Sequence, residues 1–166
     1  MSLAQWIVIA VALQRFAELM LSNHNINKLR AKGGIEIGAS HYPLIVALHV
    51  SWLVALFFLS DSSAAVSWPL LSLFLLLQIC RIWVIVSLGE RWTTRIIIVK
   101  GERLIKRGPY RWFRHPNYLV VIGEILILPL VFGQWQIAVI FSLANILLIY
   151  WRIKIENLSL KNTAVR

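Results

Sequence analysis

Apolar residues run along this chain in long segments that short polar connections separate. Three segments approach the roughly 20 residues that a helix needs to cross a bilayer core of about 30 Å. Two shorter segments follow, and the FGQW connection between them is short enough to predict a helical hairpin. The pattern therefore predicts an all-α integral membrane protein: one domain over 1–166, with five transmembrane helices. The five segments are 3–22, 42–60, 69–88, 118–132 and 136–150.

The composition agrees with this pattern and excludes a water-soluble domain. Hydrophobic residues make up 59% of the chain and charged residues only 14%, with a mean hydropathy of +0.74. A soluble domain of this size needs more polar surface than that composition provides.

A formal charge of +10 would suit a nucleic-acid-binding protein, but the positions of the basic residues indicate membrane topology instead. Fifteen of the 17 Lys and Arg residues lie in 23–41, 89–117 and the tail from Arg152, whereas the connections 60–68 and 132–135 have none. The positive-inside rule then predicts an outside N-terminus and a cytosolic C-terminus. Topology and contact with anionic membrane lipids explain the charge, so nucleic acid is not an expected partner.

The segment 89–118 is the longest connection and lies on the predicted cytosolic side. Its runs TRIIIV and RLIK flank a Gly-containing turn, which predicts a small hairpin on the membrane surface. Pro116 suits the first turn of a helix, so the fourth helix is expected to begin at HPNY. The fifth helix is expected to continue beyond Tyr150, because nothing in 150–160 breaks it. Arg152 and Glu156 would then share one face at i and i+4.

A few ionisable residues fall inside the apolar segments, where they are costly and need partners. Arg15 and Glu18 are spaced for a pair, and Arg81 and Glu124 are candidates for a second pair. His49, alone on the second helix, is interpreted as a hydrogen-bonded packing residue.

The stretch GPYRWFRHPNY, 108–118, combines features that topology alone does not explain. It brings four aromatic rings and two prolines to the edge of the membrane, next to an open helix N-terminus that favours anions. This combination favours a pocket for a ligand with both a π-surface and charges. The chain has no dinucleotide-binding glycine motif, phosphate loop, nucleophile elbow or Cys/His spacing typical of a metal site.

Residues 88–160, with LGERWTTRIIIVKGERLIKRGPYRWFRHPNYLVVIGE and then RIKIEN, resemble the isoprenylcysteine carboxyl methyltransferase family, in particular its short bacterial branch. The resemblance implies a membrane enzyme that uses S-adenosylmethionine at its cytosolic face. It also implies that Arg152 and Glu156 are the catalytic or acceptor-facing pair. Family members usually have a second acidic residue where this chain has Asn157, which argues against a carboxylate acceptor of the prenylcysteine type. The cofactor-binding element that it implies consists of Tyr110, Arg114, His115, Pro116 and Tyr118.

Two classes of lipophilic acceptor are open at this point. A lipidic carboxylate needs no base, and Arg152 can orient it. A long-chain phenol or pyrone must lose a proton, and Glu156 or His115 is then the candidate base. The expected location is a prokaryotic cytoplasmic membrane.

Two other functions compete with methyl transfer. Membrane enone and sterol reductases that use NADPH also carry an Arg-His-Pro-Asn-Tyr-like element, but they typically place Gly and an acid soon after it, whereas Gly123 and Glu124 come later here. A non-enzymatic scaffold, in which the Arg/Glu pairs are structural and the basic loop binds lipid, is the second alternative.

Overall fold

The computed structural model describes residues 1–60, 65–101 and 105–164. Its described part consists of five α-helices and a two-stranded sheet. The helices are α1 (Leu3–Ala31), α2 (Tyr42–Leu59), α3 (Trp68–Leu88), α4 (Pro116–Val131) and α5 (Trp135–Ala164), and the strands are β1 (Ile35–Ile37) and β2 (Ile96–Ile98).

Local sequence explains where these helices begin and turn. Ser2 caps α1 in a capping box, in which its hydroxyl accepts from the Gln5 amide and the Gln5 side chain accepts from the Ser2 amide. A proline lies in the first turn of α2, α3 and α4, where its missing N–H costs no helical hydrogen bond. Gly133, at φ 71°, provides the turn between α4 and α5. The predicted helical hairpin of α4 and α5, the start of α4 at Pro116 and the continuation of the last helix are confirmed.

The first helix is longer than the sequence analysis predicted. It was expected to end near residue 22, but α1 continues to Ala31, so nearly half of the expected loop 23–41 belongs to this helix. Ser22, Asn25, Ile26 and Leu29 are buried along one face of this continuation at helical spacing. The helix therefore ends only at the Gly33-Gly34 pair, because packing on that face outweighs the polar composition.

The helices have the length and surface of membrane spans. Among the described residues, four ranges are long and apolar enough to cross a bilayer: Leu3–Ala31, Ala39–Leu59, Trp68–Arg91 and Trp135–Glu156. Large apolar side chains such as Phe16, Phe58 and Leu147 are exposed on their outer faces. The chain is therefore an integral membrane protein. Helix α4 has 16 residues, about 24 Å, so the count of five crossings stays a prediction, as does the orientation.

Helix α4 lies between α3 and α5 and supplies much of the core. Its residues Ile125, Leu128 and Val131 are almost fully buried against Trp52 and Leu56 of α2. Full burial of one such side chain contributes about 1.5–3 kcal/mol in water. In a bilayer the gain comes mainly from close packing.

Four charged side chains inside the bundle form a single ion-pair network that joins three helices. Arg81 of α3 donates to Glu18 of α1 and, at 2.9 Å, to Glu124 of α4. Arg15 contacts Glu18 at 3.0 Å and Glu124 at 2.9 Å. Both predicted pairs are confirmed, and each arginine also bridges to the other pair. The two positive and two negative charges cancel, which is what a low-dielectric interior requires.

The sheet differs from the predicted hairpin. Strand β2 lies within TRIIIV as expected, but it pairs antiparallel with β1, with Ile35 opposite Ile98. The predicted partner RLIK lies in part outside the described residues. The observed pairing joins the connection after α1 to the connection after α3, because the longer α1 delivers β1 beside β2.

Candidate active site

The segment after α3 is fixed to the last turns of α1. The Asn25 side-chain amide donates to the carbonyl oxygens of Trp92 at 2.8 Å and Gly89 at 3.2 Å. The Ser22 hydroxyl accepts from the Thr94 amide at 2.9 Å. Ser22, at the predicted end of α1, therefore holds Thr94 in place, and Asn25, in the part of α1 that sequence analysis missed, holds Trp92.

The GPYR stretch folds into a short 3₁₀ helix, Gly108–Arg111, that is seated against α3. Gly108 has φ 57°, and a Cβ atom there would lie 2.0 Å from the Ser87 hydroxyl oxygen. Arg107 Nε donates to the Ser87 carbonyl at 2.8 Å, so the residue before Gly108 is also attached to Ser87. Glycine is therefore required at 108 by both backbone conformation and space.

Tyr118 connects the two predicted catalytic residues. Its hydroxyl donates to Glu156 Oε2 at 2.7 Å and accepts from Arg152 Nε at 2.9 Å. Its ring stacks on His115 with a centroid distance of 5.3 Å, and His115 Nδ1 lies 3.9 Å from Glu156 Oε2. Arg152 also donates to the Thr94 carbonyl at 2.8 Å. The first turn of α4, the continuation of α5 and the segment before β2 thus converge at one point.

A cavity of about 450 Å³ opens beside this cluster, and we call it the outer cavity. Its volume lies within the roughly 300–1,000 Å³ typical of small-molecule sites. Of the predicted cofactor residues, all but Pro116 line it, and so do both predicted catalytic residues. Pro116 is buried in the first turn of α4, so its contribution is to the backbone. The lining residues used below are Trp92, Tyr110, Arg114, His115, Asn117, Tyr118, Arg152 and Glu156.

Several polar groups on the wall of the outer cavity have no partner within the described part of the chain. Trp92 Nε1, His115 Nε2 and Asn117 Oδ1 are buried and make no hydrogen bond there. Burial raises the pKa of the Tyr110 phenol, and the nearby Glu156 carboxylate acts in the same direction. The cavity thus offers a neutral phenol and unsatisfied donors and acceptors to a ligand, since buried polar atoms are normally paired.

A second cavity, of about 160 Å³, lies between the helices and is mostly apolar; we call it the inner cavity. Five residues line both cavities: Trp92, Thr93, Asn117, Tyr118 and Arg152. Glu156 lines only the outer cavity. The two cavities therefore adjoin at the Tyr118 and Arg152 side chains. The remaining lining of the inner cavity includes Arg15, Tyr42, His49, Val121, Asn145 and Ile149.

Sequence reasoning missed the inner cavity and, among its polar residues, Asn145. His49 makes the expected hydrogen bond, with Nδ1 2.8 Å from the Ile45 carbonyl oxygen, but it also faces this cavity. Asn145 carried a signal: it is an amide in an apolar segment, seven residues before Arg152 and so on the same helical face. In the part of the chain that the structure describes, no cluster of His, Cys, Asp and Glu could hold a metal ion.

A family model for the isoprenylcysteine carboxyl methyltransferase (ICMT) family matches residues 70–162, more than half of the chain. The chain belongs to this family. It is therefore a membrane methyltransferase, and the matched range contains every residue of the Tyr118, Arg152 and Glu156 cluster.

Two relatives of this methyltransferase are bacterial. One, from Bacillus subtilis (strain 168), bears the name "Uncharacterized protein YpbQ" and is 38% identical over 166 residues, covering 97% of this chain and 99% of its own. Another, an "Uncharacterized protein" from Haemophilus influenzae, is 29% identical over 145 residues and 81% of each chain. No solved structure gives a significant match.

Proposed function

We propose that this protein transfers a methyl group from S-adenosylmethionine to an oxygen atom of a lipophilic acceptor. The observation that carries the proposal is the pair of adjoining cavities, with Tyr118 and Arg152 in their common wall: the outer one has several charged and polar side chains in its lining, and the inner one is mostly apolar. A methyltransferase must bring a polar donor and its acceptor together, and an acceptor from the bilayer needs an apolar site beside the polar one.

The outer cavity has groups that match each part of S-adenosylmethionine. The unpaired Trp92 Nε1 and Asn117 Oδ1 suit the donors and acceptors of an adenine ring. Arg114 suits the amino-acid carboxylate, and Glu156 with the neighbouring aromatic rings suits a sulfonium. When bound, this cofactor supplies an electrophilic methyl group.

The protein's own residues then position the acceptor and remove a proton. Arg152, in the common wall, is placed to orient the acceptor oxygen. Glu156 does not line the inner cavity, so it reaches an acceptor there through the Tyr118 hydroxyl, which already donates to it at 2.7 Å. An acceptor hydroxyl would pass its proton to the Tyr118 oxygen while Tyr118 passes its own proton to Glu156, which leaves Tyr118 neutral.

The size of the inner cavity favours a ring-containing acceptor. Its volume of about 160 Å³ is close to the roughly 150 Å³ that holds a benzene ring. A long alkyl chain does not fit there and would extend into the bilayer. This favours a long-chain phenol or pyrone over a lipidic carboxylate. The proton path through Tyr118 agrees with that choice, because a phenol must lose a proton whereas a carboxylate needs no base.

We place the active site on the cytosolic side of a prokaryotic membrane. The basic connections lie at the end of the bundle that carries the outer cavity, as the positive-inside rule requires. The supply of S-adenosylmethionine from the cytosol is consistent with this side.

Ligand-dependent stability of the purified protein in detergent tests the proposal. S-adenosylhomocysteine at 100 times its dissociation constant stabilises a folded protein by about 2.7 kcal/mol, so we expect a clear rise in Tm with this ligand and none with NADPH. Arg114→Ala should weaken the effect by about tenfold in affinity or more, since it removes a charged hydrogen-bond donor from the cavity wall. Arg111→Ala is the matched control, because Arg111 is an equally exposed arginine of the same stretch that does not line the outer cavity.

The alternatives give different results. A rise with NADPH alone would replace the proposal with a membrane reductase. A folded protein that responds to neither ligand would favour the scaffold.

A further inference from the structure

Ser22, Tyr42 and Arg152 all contact Thr94 at the Tyr118 end of the inner cavity. Three polar lining residues, Arg15, His49 and Asn145, each lie seven residues along the helix from one of these, so they share one depth about 10 Å away from that end. Asn145 is only 2% exposed, lines this cavity, and its Nδ2 has no hydrogen-bond partner among the described residues. Arg15 Nε is also buried without a partner there, although the other nitrogens of Arg15 contact Glu18 and Glu124. Two donors thus remain unsatisfied at the edge of an otherwise apolar space.

His49 adds an acceptor to this end of the cavity. Its Nδ1 lies 2.8 Å from the Ile45 carbonyl oxygen, and a carbonyl only accepts, so Nδ1 carries the proton. In the neutral ring Nε2 is then an acceptor. Donors from Asn145 and Arg15 with an acceptor from His49 match a hydroxyl group, and the donors alone match a carbonyl.

This polar end is separate from the site of methyl transfer. Asn145 precedes Arg152 by two turns of α5, about 10 Å along the axis. Two hydrogen bonds of about 2.8 Å each, one at either end, leave roughly 5 Å between the two ligand oxygens, which is close to the separation of two oxygens in meta positions on one aromatic ring.

An acceptor with a single oxygen would leave these donors unpaired. A buried unsatisfied donor costs about 1–3 kcal/mol, and sites built to hydrogen-bond a substrate hydroxyl discriminate strongly against analogues without it. The arrangement therefore has the form of a specificity site and not of simple packing.

We infer that Asn145, with Arg15 and His49, binds a second oxygen substituent on the acceptor ring, meta to the oxygen that receives the methyl group. The inference rests on the proposed function and narrows its acceptor class to rings with two oxygen substituents. Asn145 is a specificity-determining residue in this account, and Arg152 and Tyr118 remain at the reacting oxygen.

Two probes that differ by one oxygen test this inference: a 5-alkylresorcinol and the 3-alkylphenol with the same chain. We expect the wild-type protein, with S-adenosylmethionine in detergent, to prefer the resorcinol by about tenfold or more in kcat/KM. Asn145→Leu, similar in volume but apolar, should remove most of this preference: kcat/KM should fall for the resorcinol and should not fall for the phenol, because leucine removes the donor that the phenol leaves unpaired. Ile149→Leu, on the same face and lining the same cavity, is the control and should keep the preference.

The possible outcomes test the role of Asn145 separately from the proposed methyl transfer. A wild-type protein without preference, or an Asn145→Leu variant that keeps the preference while S-adenosylhomocysteine still raises its Tm, would overturn the role of Asn145 and leave the methyltransferase intact. Binding of S-adenosylhomocysteine without methylation of either probe would overturn the ring acceptor, and the inference with it.

Discussion

At the scale of single residues, the site depends on the Tyr118 hydroxyl. This one oxygen accepts from Arg152 and donates to Glu156, and it stands where the outer and inner cavities meet. No other hydrogen-bonded path is described between the inner cavity and Glu156. The ring of Tyr118 has a separate task, because it stacks on His115.

Tyr118→Phe separates these two tasks. The variant keeps the stacked ring and loses the hydroxyl, so we expect turnover to fall by about 10²–10⁴-fold, as for the loss of a proton-transfer group. Affinity for S-adenosylhomocysteine should change by less than about tenfold. Turnover with a ring acceptor and calorimetry with S-adenosylhomocysteine measure the two effects.

The control for this prediction is Tyr150→Phe, on the exposed side of α5, which should leave both quantities unchanged. Full turnover in Tyr118→Phe would mean that the acceptor proton reaches solvent or Glu156 without the hydroxyl.

At the scale of elements, the site is assembled by segments distant in sequence. The sequence predicted the helix start at Pro116 and the i, i+4 pairing of Arg152 with Glu156, because proline geometry and helical period are local properties. It did not predict the length of α1, whose polar last turns are helical only because Ser22 and Asn25 bind the segment at 89–94. The pairing of β1 with β2 and the inner cavity depend on the same long-range packing, which spacing along the chain does not encode.

Gly108→Ala tests how far the seating of the GPYR stretch controls the outer cavity. A Cβ atom at 108 meets Ser87, so the stretch that carries Tyr110 must move. We expect a loss of affinity for S-adenosylhomocysteine together with a lower Tm, both measured in detergent.

Gly133→Ala provides the comparison at the opposite end of α4. It also has positive φ, at 71°, but its Cβ would meet nothing within 4 Å. It should therefore show only the backbone cost of about 1–2 kcal/mol and normal affinity for the ligand. Equal behaviour of the two variants would argue against seating by Ser87.

At the scale of the whole molecule, the four-charge network joins α1, α3 and α4 beside the inner cavity. Arg81 is central to it, since it bridges Glu18 and Glu124. Removing one partner of a buried pair leaves a charge without compensation, which is more costly than never having had the pair. The network therefore makes the arrangement of the three helices specific as well as stable.

Arg81→Met should lower the free energy of unfolding by about 3–5 kcal/mol, as measured by thermal or detergent-induced unfolding. Lys28→Ala, which removes one contact of the exposed Lys28–Glu90 pair, should change the free energy of unfolding far less, because solvent screens an exposed ion pair. Similar losses in the two variants would show that the buried network contributes little beyond its desolvation cost.

Helix α5 joins the candidate active site to Trp135 at the other end of the bundle. Arg152 lies 17 residues after Trp135, the exposed first residue of the helix, a rise of about 26 Å that is slightly less than a bilayer core of about 30 Å. Tryptophan favours the membrane interface. With Trp135 at one interface, the length of α5 determines how deep Arg152 lies in a bilayer of given thickness. We therefore expect the methylation rate to depend on lipid chain length. In vesicles of increasing acyl-chain length, the rate should pass through a maximum and then decline, because the reacting oxygen comes to lie below the interface.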